Sequence, residues 1–149
     1  MIVGTLREIV RRWSWSIDKP GRLDLGARGE KLAAEELERR GYRIVARRWR
    51  CRLGEIDLVA YHGETLVIVE VKTRRIRGEA QARGSPSPQD AVGRRKRRKL
   101  VQLTHAYLAA KRIREQDVAV RIDVVGVGLR DDGGVRFEVL SDAFGEDEC

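Results

Sequence analysis

Residues 54–74, GEIDLVAYHGETLVIVEVKTR, constrain the fold more than any other stretch of the chain. Two apolar, β-branched runs are separated by a glycine, and Glu55, Asp57, Glu70 and Lys72 are set into them. Runs of this kind, bounded by Gly, read as strands. Charged groups inside strands that look buried are costly unless they are paired or bound to metal. Any fold for this chain has to resolve that conflict.

The two runs fold back on each other. Gly63-Glu64 suits a two-residue turn of type II′, with Gly in the first central position. In that register His62 faces Thr65, Asp57 falls opposite Glu70, and Glu55 falls opposite Lys72. A slip of two residues keeps all four on one face, because side chains alternate with period two. Cross-strand Cβ atoms lie about 5 Å apart. Local sequence alone therefore brings three carboxylates and one ammonium to one patch of sheet.

That patch has a chemistry. Asp57 followed by Glu70-Val71-Lys72 has the form D-x12-E-x-K. An Asp and a Glu facing each other across a hairpin can share a hard divalent cation, which takes oxygen ligands. Lys72 points the same way as Glu70 and can hold an attacking water and offset charge developing on a phosphate. The cation, Mg²⁺ or Mn²⁺, would polarise the scissile phosphodiester. The bland alternative is an ion-pair ladder of Lys72 with Glu55 or Glu70.

Composition bears on the partner. The chain of 149 residues is long enough for one domain with a real core, and 36% of its residues are charged. The formal net charge of +8 favours a polyanionic partner such as nucleic acid. No apolar run approaches the ~20 residues of a membrane span. Cys51 and Cys149 lack metal-ligand spacing and, with no signal peptide in view, read as free thiols of a cytoplasmic protein.

The rest of the chain frames the hairpin. Residues 1–20 read as an extension in which Leu6, Ile9, Val10, Trp13 and Ile17 share a helical face; it could dock, dimerise or touch a membrane surface. Residues 25–40 form a helix closed by Gly41. Glu30 on it reads, taken alone, as a solvated carboxylate. Residues 42–49 are a strand, and Arg50 and Arg52 follow it just before the acidic patch, placed to hold phosphates. Residues 74–89 read as a long loop rich in arginine, including Arg74 and Arg75. A second helix follows to about Lys111, opening on six consecutive cations, Arg94, Arg95, Lys96, Arg97, Arg98 and Lys99. Such a run is either a solvated helix end or a phosphate-binding surface. His105 reads as structural. Strands over 119–127 and 135–140 complete the order α-β-β-β-α-β-β, an α/β fold with a mixed sheet flanked by helices. The domain is expected over 21–145, with an acidic tail at 146–149.

The segments LGARGEKLAAEELERRGYRIVARRWRCRLGEIDLVAYHGETLVIVEVKTR resemble the bacterial YraN family, of the PD-(D/E)XK nuclease superfamily and similar to archaeal Holliday junction resolvases. The resemblance runs from about Leu25 to Phe144 and rests on G-x-x-G-E, G-E-I-D-L and V-E-V-K-T-R together. It implies a restriction-endonuclease-like fold, Asp57 and Glu70 as metal ligands, and Lys72 as the catalytic lysine. It also implies that Glu30 is a helical glutamate supplementing the site, and that Lys96 is the family's helix lysine. Glu55 is then left as a neighbour that orients Lys72. The function expected is a Mg²⁺- or Mn²⁺-dependent endonuclease or exonuclease acting on DNA, branched DNA in repair or recombination among the substrates, with a homodimer as one assembly. The alternatives are a nucleic-acid-binding module or a partner-interaction protein that keeps the fold without catalysis.

Overall fold

A computed structural model of the chain describes residues 22–77 and 90–143. The extension expected over 1–20, most of the arginine-rich loop, Cys149 and the acidic tail lie outside the described residues. The elements in order are α1 (Arg22–Arg39), β1 (Tyr42–Cys51), β2 (Gly54–His62), β3 (Thr65–Ile76), α2 (Asp90–Lys111), a short 3-10 turn (Glu115–Asp117), β4 (Val120–Arg130) and β5 (Val135–Leu140). They build one five-stranded mixed sheet in the order β1-β2-β3-β4-β5. The β3–β4 pair is parallel and the other three are antiparallel. The parallel pair is joined through α2, the crossover such a pairing requires. The expected α/β class and element order are those observed.

Each helix covers one face of the sheet. Ala33, Ala34 and Leu37 of α1 pack on Leu58, Ala60, Val67, Val69, Val125 and Val127. Leu100, Leu103, Tyr107 and Leu108 of α2 pack on Ile56, Val59, Leu66, Ile68, Ile122 and Val124. Alternation along β3 sends Leu66 and Ile68 to one helix and Val67 and Val69 to the other, so a strand buried on both faces reads as a continuous apolar run. Helix α1 ends where Gly41 takes a φ of +88° and its N–H reaches the carbonyl of Glu38 at 3.0 Å.

The hairpin register is His62↔Thr65 through Leu58↔Val69, as the Gly63-Glu64 turn requires. Gly63 has a φ of +60°, and Glu64 is not among the residues with positive φ, which fits type II′. The strand β3 is longer than its local sequence suggests. Arg74 and Arg75 lie on it, paired with Gly128 and Leu129 of β4, rather than in a loop. Pairing with a distant strand outweighs the local run of arginines.

On β4, paired with Val69 of β3, Asp123 is fully buried and fully bonded. It accepts hydrogen bonds from Tyr42 Oη at 2.9 Å, from Arg121 Nε at 3.0 Å and from the Asp142 N–H at 2.9 Å. The network joins β1, β4 and the segment after β5, residues that are 81 positions apart in the case of Tyr42 and Asp123. His105, on α2, pairs with Glu115 of the 3-10 turn at 2.6 Å.

Candidate active site

The β2–β3 ladder stops at Leu58↔Val69, one pair short of the acidic residues. Beyond it, β3 continues against β4 only. The strands separate there because a side chain has entered the gap. The backbone N–H of Val71 donates to Asp57 Oδ2 at 2.7 Å, where a strand carbonyl would ordinarily accept. Asp57 therefore lies near the plane of the sheet, within reach of groups from both faces.

The first strand carries a matching irregularity. Pairs Arg47↔Leu58 and Trp49↔Ile56 put Arg48 across from Asp57. Arg48 has a φ of +49°, the left-handed region that L residues other than Asn and Asp seldom adopt. On β1, Ala46 and Trp49 are three residues apart yet pack against the same cluster, and so do Ile56 and Val59 on β2. Regular strands alternate with period two. Both strands thus skip a beat at the opposed positions 48 and 57, and the polar residues there are freed from the core's alternation.

Glu30 arrives from α1. Gly29 makes this possible: a Cβ at that position would lie 1.7 Å from Thr73 Oγ1 and 2.7 Å from Thr73 Cβ and Cγ2. Only glycine lets the helix press so closely on β3, and the next residue along the helix is Glu30. Carboxylate oxygens of Glu30, Glu55 and Asp57 come within 4.8 Å of one another, all three partly buried. Arg48 Nε donates to Glu30 Oε2 at 2.6 Å, and Arg50 Nε donates to Glu55 Oε2.

Glu70 arrives from the other side. It is 4% exposed. Its Oε1 takes Lys72 Nζ at 2.8 Å and Lys96 Nζ, from α2, at 3.2 Å. Its Oε2 is buried with no hydrogen-bond partner. A buried carboxylate oxygen without a partner costs free energy, and a metal ion is one group that removes the cost. The Asp57 carboxyl is pushed up to about 8, first by burial and then by the charges of Glu70 and Glu30; the Val71 N–H and Lys96 oppose the rise. Carboxylates that raise one another in this way, with burial behind them, are far better accommodated with a cation beside them. The donor set is all oxygen and carboxylate-rich, which fits Mg²⁺ or Mn²⁺.

Most of the residues expected at the site meet here, though not always with the expected partner. Asp57, Glu70, Lys72 and Glu30 converge, and Lys96 joins them through Glu70. Glu55 was expected to orient Lys72; its carboxylate takes Arg50 and stands with Glu30 and Asp57. The reason is the register on β1, where Arg50 pairs directly with Glu55. Arg50 thus faces an acid in this structure, with its side chain still 71% exposed. Lys99 passes over Gly54, its Cε 3.5 Å from where a Cβ would stand, so α2 crosses the start of β2, two residues after Arg52 in the chain. Arg94, Arg95 and Arg98 are exposed, and Arg97 is half-buried. Arg74 and Arg75 lie further along β3. Arg48 is the residue that sequence reasoning missed. The signal was faint: a third arginine in the run Arg47-Arg48-Trp49-Arg50, with nothing local to mark its left-handed backbone.

Comparison with known proteins agrees with this geometry in extent. The model of "Uncharacterised protein family UPF0102" matches residues 29–127, which span Gly29 to Lys96 and beyond. A UPF0102 protein of Syntrophus aciditrophicus is 43% identical over 122 residues, covering 82% of this chain and 89% of that protein. One from Geobacter sulfurreducens is 44% identical over 120 residues, covering 80% and 88%. One from Clavibacter michiganensis is 46% identical over 120 residues, covering 80% and 95%. The chain belongs to family UPF0102, the YraN family.

Proposed function

We propose that the protein is a metal-dependent nuclease that hydrolyses DNA phosphodiesters, with Mg²⁺ or Mn²⁺ held by Asp57 and Glu70 and with Glu30 and Glu55 completing the acidic wall. The observation that carries this reading is the state of Glu70. One of its oxygens is held by two lysines, while the other is buried and without a partner. A set of ion pairs built for stability alone would not leave that oxygen bare.

The divalent cation, when bound, acts as a Lewis acid on the phosphodiester and favours deprotonation of the attacking water. The chain supplies the rest. Lys72, anchored on Glu70 Oε1 and about one-third exposed, faces the solvent side, where it can orient the water and offset charge developing on the phosphate. Lys96 holds Glu70 from α2 and fixes the angle of the ligand. Asp57, tethered by the Val71 N–H, keeps its carboxylate in the gap between strands. The exposed arginines at the start of α2 supply contacts to the DNA backbone, which position it without reading sequence. Branched DNA, of the kind met in repair or recombination, is the substrate class we favour.

The test is a cleavage panel. Junction, flap, single-stranded and duplex DNA are incubated with either metal and with wild-type protein or the Glu70→Ala, Lys72→Ala double variant. Metal-dependent cleavage by the wild type alone supports the assignment. Equal cleavage by both, or none by the wild type while it binds DNA, rejects it in favour of a binding module.

A further inference from the structure

Arg48 occupies an unusual position for a strand residue. Its backbone is left-handed. It stands across from Asp57 in the β1–β2 register. Its guanidinium donates to Glu30 at 2.6 Å while remaining 46% exposed. The hydrogen bond to Glu30, and then the charges of Glu30, Glu55 and Asp57, hold it above the ordinary arginine range. Strained backbone at such a point persists only where surrounding contacts impose it.

Charge makes the next step specific. Three carboxylates gather within 4.8 Å. Two of them already carry an arginine, Glu30 with Arg48 and Glu55 with Arg50. A divalent cation arriving at Asp57 beside them meets like charge from those guanidinium groups, so cation and arginines compete for the negative charge of one cluster. Arg48 has both the exposure and the long side chain to leave. The groups outside the cluster that would receive it are the phosphates of a bound strand, to which guanidinium binds in a bidentate fork.

We propose that Arg48 is the resident counter-ion of the Glu30–Glu55–Asp57 cluster, displaced from Glu30 by the incoming divalent cation and passed to the phosphate backbone of the nucleic acid. The proposal rests on the metal-site reading above. It makes metal and DNA mutually reinforcing: the cation frees Arg48 for phosphate, and phosphate keeps Arg48 from returning to Glu30. Coupling of this kind is reciprocal.

Two measurements on the intact chain test it, with Arg48→Gly, which takes a positive φ without strain, and Arg48→Gln, which keeps most of the side-chain length. Circular dichroism establishes that both fold. In calorimetric titration with Mn²⁺, both variants bind about tenfold tighter than wild type, as expected when a competing charge is removed. In fluorescence anisotropy with a labelled DNA duplex, Ca²⁺ raises the affinity of wild type at least fivefold and that of the variants by less than half as much. Mn²⁺ binding unchanged or weakened in both variants overturns the competition while leaving the metal site standing. Mn²⁺ uptake that is equal in wild type and Asp57→Asn overturns the metal site, and the competition with it.

Discussion

Single residues decide whether the acidic groups meet. Gly29 is the clearest case. Alanine is favoured over glycine inside a helix by roughly 1 kcal/mol. At this position the added Cβ runs into Thr73, so Gly29→Ala is expected to lose about 1–3 kcal/mol, the usual cost of overpacking. Chemical denaturation gives the sign directly, and adding Thr73→Ala recovers part of the loss. Asp57 yields a second prediction. In the folded, metal-free chain its carboxyl holds a proton up to about pH 8, whereas in the unfolded chain it loses it near 4. Between those values the unfolded state binds fewer protons, so stability that is full below about pH 4 is lost as the pH rises toward 8. With a chelator present, the melting temperature of wild type should fall several degrees more between pH 5 and pH 8 than that of Asp57→Asn. Parallel curves for the two proteins would contradict the burial of a reluctant charge.

Elements differ in what they contribute. The hairpin of β2 and β3 supplies the ligands, α1 supplies Glu30, and α2 divides its cations by face. Lys96 reaches Glu70, and Lys99 lies over Gly54, while Arg94, Arg95 and Arg98 face solvent. Substitution of those three arginines by alanine should weaken DNA binding and flatten the dependence of log affinity on log salt by about two to three units. Lys96→Ala should change the slope by one unit at most and act instead on metal-dependent turnover. A triple variant with an unaltered slope would remove α2 from the DNA surface.

Across the whole molecule, legibility followed sequence distance. The hairpin was readable because turn residues and alternation fix its register within a dozen positions. Its β-branched runs also announced a strand buried on both faces, and two helices do cover it. Local sequence therefore leads to the neighbourhood of Asp57 and Glu70, though the ladder itself stops at Leu58↔Val69. It does not lead to Glu30, because its place depends on Gly29 pressing against Thr73, a contact between distant segments. Family resemblance pointed to it where physical reasoning left it on the surface. Arg48 escaped both, since nothing in an arginine-rich run marks one backbone as left-handed. The extension of β3 through Arg74 and Arg75 and the Tyr42–Asp123–Arg121 network were likewise hidden, because each is imposed by pairing across the sheet. The same distance rule holds for the Arg50 partner of Glu55. That partner comes from β1, and the hairpin alone cannot supply it.

The central claim is that this chain places a divalent cation between Asp57 and Glu70 for phosphodiester hydrolysis. A crystal soaked in Mn²⁺, with data collected at the manganese absorption edge, tests it most directly. The account predicts one strong anomalous peak bonded to Asp57 and to the Glu70 oxygen that now lacks a partner, and lost in a Glu70→Ala crystal. No peak there, in crystals of a protein that still cleaves DNA with manganese, would contradict it.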